Sequence, residues 1–293
     1  MDGQDSVLDF YRQPAAMSSP GAHATLYTAL PDEVDRLAAV VQGVLLHEHW
    51  AGAYGQTLSD ERRAGSHIRQ TARMLDWLGR DAPPLQARAL EDRLIGTCRD
   101  FTLLTVSMLR AKGVPARGRC GFGAYFERGQ YVDHWVCEYW RADDARWAMA
   151  DAQIDAVQSK ALNPDFDLMD VPRDRFLIAG DAWAQCRAGA LDAQNFGIMD
   201  MRGLWFIAGN VIRDFAALNN TEMLPWDVWG PMPQPGEPLT PDQVSLFDRL
   251  AGLTQSPDAN FSEIRALYDS EESLRPPPVV FNAVRNRPES VDG

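Results

Sequence analysis

The chain is short of positive charge. Its 293 residues hold 28 Lys and Arg against 41 Asp and Glu, a formal net charge of −13. A surface of that sign repels phosphate backbones, and no basic stripe overrides it, so neither nucleic acid nor an anionic membrane is an expected partner. Long apolar runs are also lacking. The longest nearly uninterrupted one, Gly203 to Ile212, is about half of the ~20 residues that a membrane-spanning helix needs. The opening Met1-Asp2-Gly3-Gln4-Asp5 has neither the basic nor the apolar region of a secretory signal, so the expected location is cytoplasmic. Cysteine is scarce: Cys98, Cys120, Cys137 and Cys186 are all there are. No two of them form a C-x-x-C pair, which argues against a zinc knuckle, and a reducing compartment argues against a disulfide framework.

What is present is an ordinary globular balance, 45% hydrophobic and 24% charged. Residues 1–23 mix small and polar types without a period and read as a loosely ordered arm. Apolar spacing predicts a helix from Pro31 through Val34, Leu37, Val41 and Leu45, and another from Ser59 to Gly79. A break is expected at Asp81–Pro84, and a third helix from Cys98 to Lys112, capped by Gly113. Strand-like runs follow at 114–120, 124–126, 131–140 and 146–151, as two antiparallel hairpins. Helices are expected again at Asp174–Arg187 and Gly203–Leu218. Ten of the nineteen prolines lie after residue 230, so 231–293 reads as a Pro-rich connector with helices near Pro241–Leu253 and Phe261–Tyr268 and a frayed end. Helices followed by a run of strands indicate an α+β domain, here 24–230, with a helical extension over 156–230.

Chemistry concentrates at three places. Gly96-Thr97-Cys98-Arg99-Asp100-Phe101 sets a cysteine where a loop becomes the first turn of an apolar helix. The partial positive charge and open N–H groups there favour a thiolate and suit an oxyanion, although Asp100 opposes the first effect. A cationic partner is therefore wanted. His134, within the aromatic run Tyr131 to Trp140, suits a thiolate–imidazolium pair and general acid–base work. Asp151, at the end of the next strand, suits a carboxylate that fixes the imidazole tautomer, with Asp133 and Asp155 as competitors. Each residue alone would equally serve as core or turn.

In this order, Cys98, His134 and Asp151 resemble the transglutaminase-like superfamily of papain-type cysteine enzymes. The nucleophile motif is similar to Gly96-Thr-Cys98 with its apolar helix and Gly113-Val-Pro-Ala-Arg117. The histidine motif is similar to His134 with Glu138, and the aspartate motif to Trp147 with Asp151. The resemblance covers about 90–155. Two departures stand out: Val136 takes a place often held by an aromatic residue, and Ala152-Gln153 follow the aspartate where proline is common.

The resemblance implies a papain/transglutaminase-like core, with the nucleophile helix packed on an antiparallel sheet between helical N- and C-terminal extensions. It implies a thiol-acyl intermediate in an amide or peptide hydrolase, an amidase or a transamidating enzyme, with no metal and no cofactor. A second oxyanion donor is implied upstream of the nucleophile. Gln42, Trp50 and Gln56 are the candidates, Trp50 first because its indole N–H is a fixed donor. Trp135 and Trp226 are the aromatic candidates for contact with an amide- or peptide-containing substrate. His47-Glu48-His49 lacks the spacing of a helical zinc pair. A non-catalytic binding or scaffold protein on the same fold is the rival class.

Overall fold

Most of the periodic helices form where apolar spacing places them, and the strands assemble beside them. The computed structural model describes residues 3–292 except 81, 82 and 84. Two compact units share the chain: the first holds Met1–Gly118 and Val136–Val171, the second Arg119–Trp135 and Pro172–Gly293. Helices alternate with a mixed sheet, and the architecture is α+β.

The first unit begins with α1 (Gly3–Arg12), α2 (Val34–Val44) and β1 (Leu45–His47). Next come α3 (Asp60–Arg63), α4 (Thr71–Leu78), β2 (Leu94–Gly96) and α5 (Cys98–Ala111). Then follow β3 (Ala116–Gly123), β4 (Tyr131–Arg141), β5 (Arg146–Ala150) and α6 (Ala156–Leu162). β1 and β2 pair in parallel, and β4 with β5 make the expected antiparallel hairpin, Cys137 opposite Ala150. Strands β3 and β4 run on from this unit into the second.

The expected loose arm is instead the helix α1, with Val7 and Tyr11 buried. The reason lies far along the chain. The Arg117 guanidinium sits 4.8 Å from the Tyr11 ring centre and 3.9 Å from that of Trp147. Arg117 Nε also donates to Glu138 Oε2 at 2.6 Å, so the cation is held while the rings cover it. The single helix expected over 59–79 is broken at Ile68–Gln70. A Cβ on Gly65 would lie 2.6 Å from Leu94 Cδ1 and 2.9 Å from the Ile95 carbonyl, so this turn packs directly on β2. The carbonyls of Ile68 and Arg69 accept from Arg99. Of the break expected at Asp81–Pro84, residues 81, 82 and 84 lie outside the described residues.

The second unit continues with β6 (Phe176–Ile178), α7 (Ala179–Arg187), β7 (Phe196–Ile198), β8 (Met201–Arg202) and α8 (Leu204–Ala217). β9 (Asp227–Val228), α9 (Pro241–Gln255), α10 (Phe261–Ser270), β10 (Val279–Asn282) and β11 (Arg287–Ser290) complete it. Its sheet order is β6-β3-β4-β7-β8, with β3 and β6 antiparallel, β7 and β8 antiparallel, and β4 and β7 parallel. The helix expected from Asp174 begins only at Ala179, because 176–178 are taken as β6 beside β3. Residues 124–126 are not a strand. The chain bends there, and Tyr125 and Phe126 fold back over Gly123, whose missing Cβ would lie 2.6 Å from the Phe126 ring.

Arg119 anchors α8 from β3. Its Nε and one terminal nitrogen reach the two Asp214 oxygens at 3.0 and 2.8 Å, and Cys120 N adds a third donor at 2.9 Å. Both charged side chains are fully buried, which only such complete pairing permits. The expected frayed end is a three-stranded sheet, β11-β10-β9. No helix among the described residues is long and apolar enough to cross a membrane.

Candidate active site

β2 delivers the chain to Thr97, whose extended backbone (φ −114°, ψ 174°) caps α5. Asp100, in the third helical position, accepts from Thr97 N at 2.7 Å and from Thr97 Oγ1 at 3.3 Å. This reciprocal turn fixes the first residues of the helix, Cys98 among them. Gly96 makes the closure possible: a Cβ there would lie 3.1 Å from Asp100 Cβ and Oδ2. Cys98 is buried, 6% exposed, at the positive end of the helix.

Asp100 does not stand there as a bare negative charge. Arg99 donates to its Oδ1 at 3.0 Å, and Arg99 is itself fully buried. Burial raises the Asp100 pKa, while the Arg99 guanidinium and the Thr97 donors pull it down. The charge adverse to a Cys98 thiolate thus has its own cation.

Parallel pairing sets His47 opposite Gly96, so the segment after β1 enters beside the segment that leads to Cys98. The His47 ring is buried and its Nδ1 accepts from His49 N at 3.2 Å, capping the turn Glu48–Tyr54. Trp50 lies half-buried in that turn, its indole without a hydrogen-bond partner among the described residues. The other two oxyanion candidates have side-chain bonds of their own. Gln42 Nε2 donates to the carbonyls of Ala152 at 3.1 Å and Ile154 at 3.3 Å. Gln56 Oε1 accepts from Arg62 at 3.4 Å. Among the described residues no group of three or more His, Cys, Asp or Glu could hold a metal ion.

In the second unit, His134 is buried at 2% exposure in an aromatic box. The ring centre of Phe126 lies 4.7 Å away in an edge-on arrangement, with Tyr125 at 6.1 Å and Phe176 at 6.2 Å. Side chains alternate along a strand, so Asp133 and Trp135 project to the face opposite His134. Asp133 there accepts from Asn210 Nδ2 of α8 at 2.6 Å. Trp135 is 1% exposed, with no hydrogen-bond partner for its indole N–H among the described residues. Trp226 is half-buried, and its carbonyl accepts from Ala283 N at 3.0 Å, which ties it to the C-terminal sheet.

Asp151, in the first unit with Cys98, follows the last residue of β5 and is 1% exposed. Its N–H donates to the Leu168 carbonyl at 2.8 Å, and its Oδ1 accepts from Gln153 N at 3.1 Å. β5 ends at Ala150, paired with Cys137 of β4, and Asp151 is the next residue of the chain. Asp155 is committed elsewhere, accepting from Val157 N at 2.9 Å and Gln158 N at 3.1 Å as the cap of α6. Both competitors for the tautomer-fixing carboxylate, Asp133 and Asp155, thus have other hydrogen bonds. Sequence reading missed the engagement of Gln42 and the charge match of Arg99; neither has a local signature.

Residues 56–152 match the family model described as the transglutaminase-like superfamily. The match supports a cysteine-dependent enzyme class. Among solved structures, the chain is similar to a candidate cysteine protease from Cytophaga hutchinsonii, at 17% identity and a TM-score of 0.33. That alignment covers 60% of this chain and spans about half, 48%, of the other. No curated protein matches by sequence. The segment 56–152, which holds Cys98, His134 and Asp151, is thus similar to the core of the transglutaminase-like superfamily.

Proposed function

We propose that the protein is a cysteine-dependent acyl-transfer enzyme acting on an amide or peptide bond through a thiol-acyl intermediate. The observation that carries the reading is Cys98 itself, fixed by a Thr97–Asp100 capping turn at a helix N-terminus with the adjacent carboxylate matched by Arg99. In this reading His134 takes the Cys98 proton, and the thiolate attacks the carbonyl carbon. The oxyanion is held by the Cys98 N–H and the Trp50 indole N–H. The His134 imidazolium protonates the leaving nitrogen, the C–N bond breaks, and a thioester remains. Water, giving its proton to His134, attacks the thioester and releases an acid, while the thiol recovers its proton. An amine in place of water gives a new amide. Asp151 fixes the imidazole tautomer throughout.

The family match over 56–152 and the buried aromatic setting of His134 support these roles. The residues beyond the core, 156–230 above all, would choose the substrate, with Trp226 as an aromatic contact there. Trp135, buried behind His134, would act on substrate only through the position of β4.

The test uses p-nitrophenyl acetate as an activated acyl donor. The reading expects a burst of one p-nitrophenol per chain, an acetyl group on the peptide containing Cys98, and faster release when glycine methyl ester is added as acceptor. A burst retained in Cys98→Ser, or acetylation only of lysines, overturns it.

A further inference from the structure

The loop after Asp151 has no proline to stiffen it, yet it is almost sealed from solvent. Asp151, Ala152, Gln153 and Ile154 are each 3% exposed or less. Buried carbonyls demand donors, and a loop leaving a strand has lost its ladder partners. Here one side chain supplies two of them. Gln42 Nε2 donates to the carbonyls of both Ala152 and Ile154, at 3.1 and 3.3 Å. On the other side Gln153 Nε2 donates to Gln158 Oε1 at 2.9 Å, and Gln158 Nε2 to the Tyr54 hydroxyl at 3.2 Å. The loop is clamped from both flanks, and the bond from Gln153 N to Asp151 Oδ1 passes that constraint to the carboxylate.

We infer that Gln42 is a positioning residue for Asp151, holding the aspartate loop from a rigid helix outside the transglutaminase-like core. The inference rests on the proposed role of Asp151. Its footing is independent of that role, because Gln42 lies 110 residues upstream of Ala152 and before the matched segment 56–152. α2 buries Leu37, Ala38, Val41 and Val44, so the amide is presented from a packed element rather than from another loop. The side-chain amide does the stiffening that a proline ring would do in its place. With Gln42 removed, the Ala152 and Ile154 carbonyls lose their donor, the loop relaxes, and Asp151 orients the imidazole less sharply. The thiolate–imidazolium pair then forms only at higher pH.

The experiment follows iodoacetamide labelling of Cys98 against pH in the full chain. Asp151→Ala is expected to move the profile to higher pH. Gln42→Met, which keeps shape without a donor, should move it in the same direction by less. Its rate at acidic pH falls about three- to tenfold, the worth of one or two ordinary hydrogen bonds, while the rate at alkaline pH is unchanged. Gln42→Asn, an amide too short to reach, should behave alike and serves if the methionine variant does not fold. Amide exchange over 151–155 should quicken in both. Glutamine variants that overlay the wild type while Asp151→Ala shifts overturn the role of Gln42 alone. If Asp151→Ala also overlays the wild type, the catalytic reading falls and the role of Gln42 falls with it.

Discussion

Arg99 donates to Asp100 at 3.0 Å, and these sequence neighbours are both sealed from solvent in the first turn of α5. The pair resolves a conflict visible in the sequence, where a carboxylate stands two residues after the cysteine proposed to ionise. Asp100 is needed to close the helix start, and Arg99 balances its charge.

Removing the cation should therefore be costly. Arg99→Met leaves Asp100 buried without its partner and is expected to lose about 3–5 kcal/mol in urea denaturation. Adding Asp100→Asn should recover part of that loss, since a neutral amide keeps acceptors toward Thr97 without a buried charge. A double variant no more stable than Arg99→Met would contradict this account.

Two glycines of β3 should separate by what their missing Cβ would meet. At Gly121 it would lie 2.2 Å from the Leu177 carbonyl, in the backbone of β6. At Gly123 it would lie 2.6 Å from the Phe126 ring, which can swing. Gly121→Ala is expected to cost about 3 kcal/mol or more, and Gly123→Ala about 1 kcal/mol. The milder variant should also displace Phe126 from His134, seen as an altered ring-current shift on the imidazole protons.

The pH dependence of the first unit has a definite sign at Asp170. Arg146 reaches its Oδ1 at 2.9 Å and Arg141 its Oδ2 at 3.1 Å. The Arg146 hydrogen bonds hold the carboxyl below its ordinary value of 3.8, against a smaller effect of burial. A depressed folded-state pKa gives stability that is complete above the unfolded value and lost as pH falls through the folded one. The difference between wild type and Asp170→Asn should be constant above about pH 5 and shrink below about 3.9. It should be small and salt-sensitive, because the groups are partly exposed. A difference that grows on acidification would contradict the assignment.

What the sequence made legible was local. The helix 98–111 and the hairpin of β4 and β5 carry their own periodicity and turn residues, so their bounds fell within a few residues of those expected. Cys98 at a helix start was readable for the same reason. The misses depend on distant partners. α1 forms because Arg117 and Trp147 receive Tyr11. The helix over 59–79 breaks because Arg99 claims the carbonyls of Ile68 and Arg69. Residues 279–290 pair as strands although the prolines at 276–278 and 288 read as a frayed end. Gln42 stands in the sequence only as one of three oxyanion candidates, because nothing local marks the Ala152 and Ile154 carbonyls that its amide meets.

The central claim, that Cys98 is an activated nucleophile, is tested by which cysteine reacts first. Cys120 and Cys137 are fully buried and Cys98 is nearly so, whereas Cys186 is the most accessible. Accessibility alone would favour Cys186, yet burial, aided by Asp192, pushes its thiol up to about 11. With limiting iodoacetamide at neutral pH, peptide mapping should find Cys98 labelled at least about tenfold faster than Cys186, and His134→Ala should abolish the lead. Labelling of Cys186 first, or a Cys98 lead untouched by His134→Ala, would contradict the account.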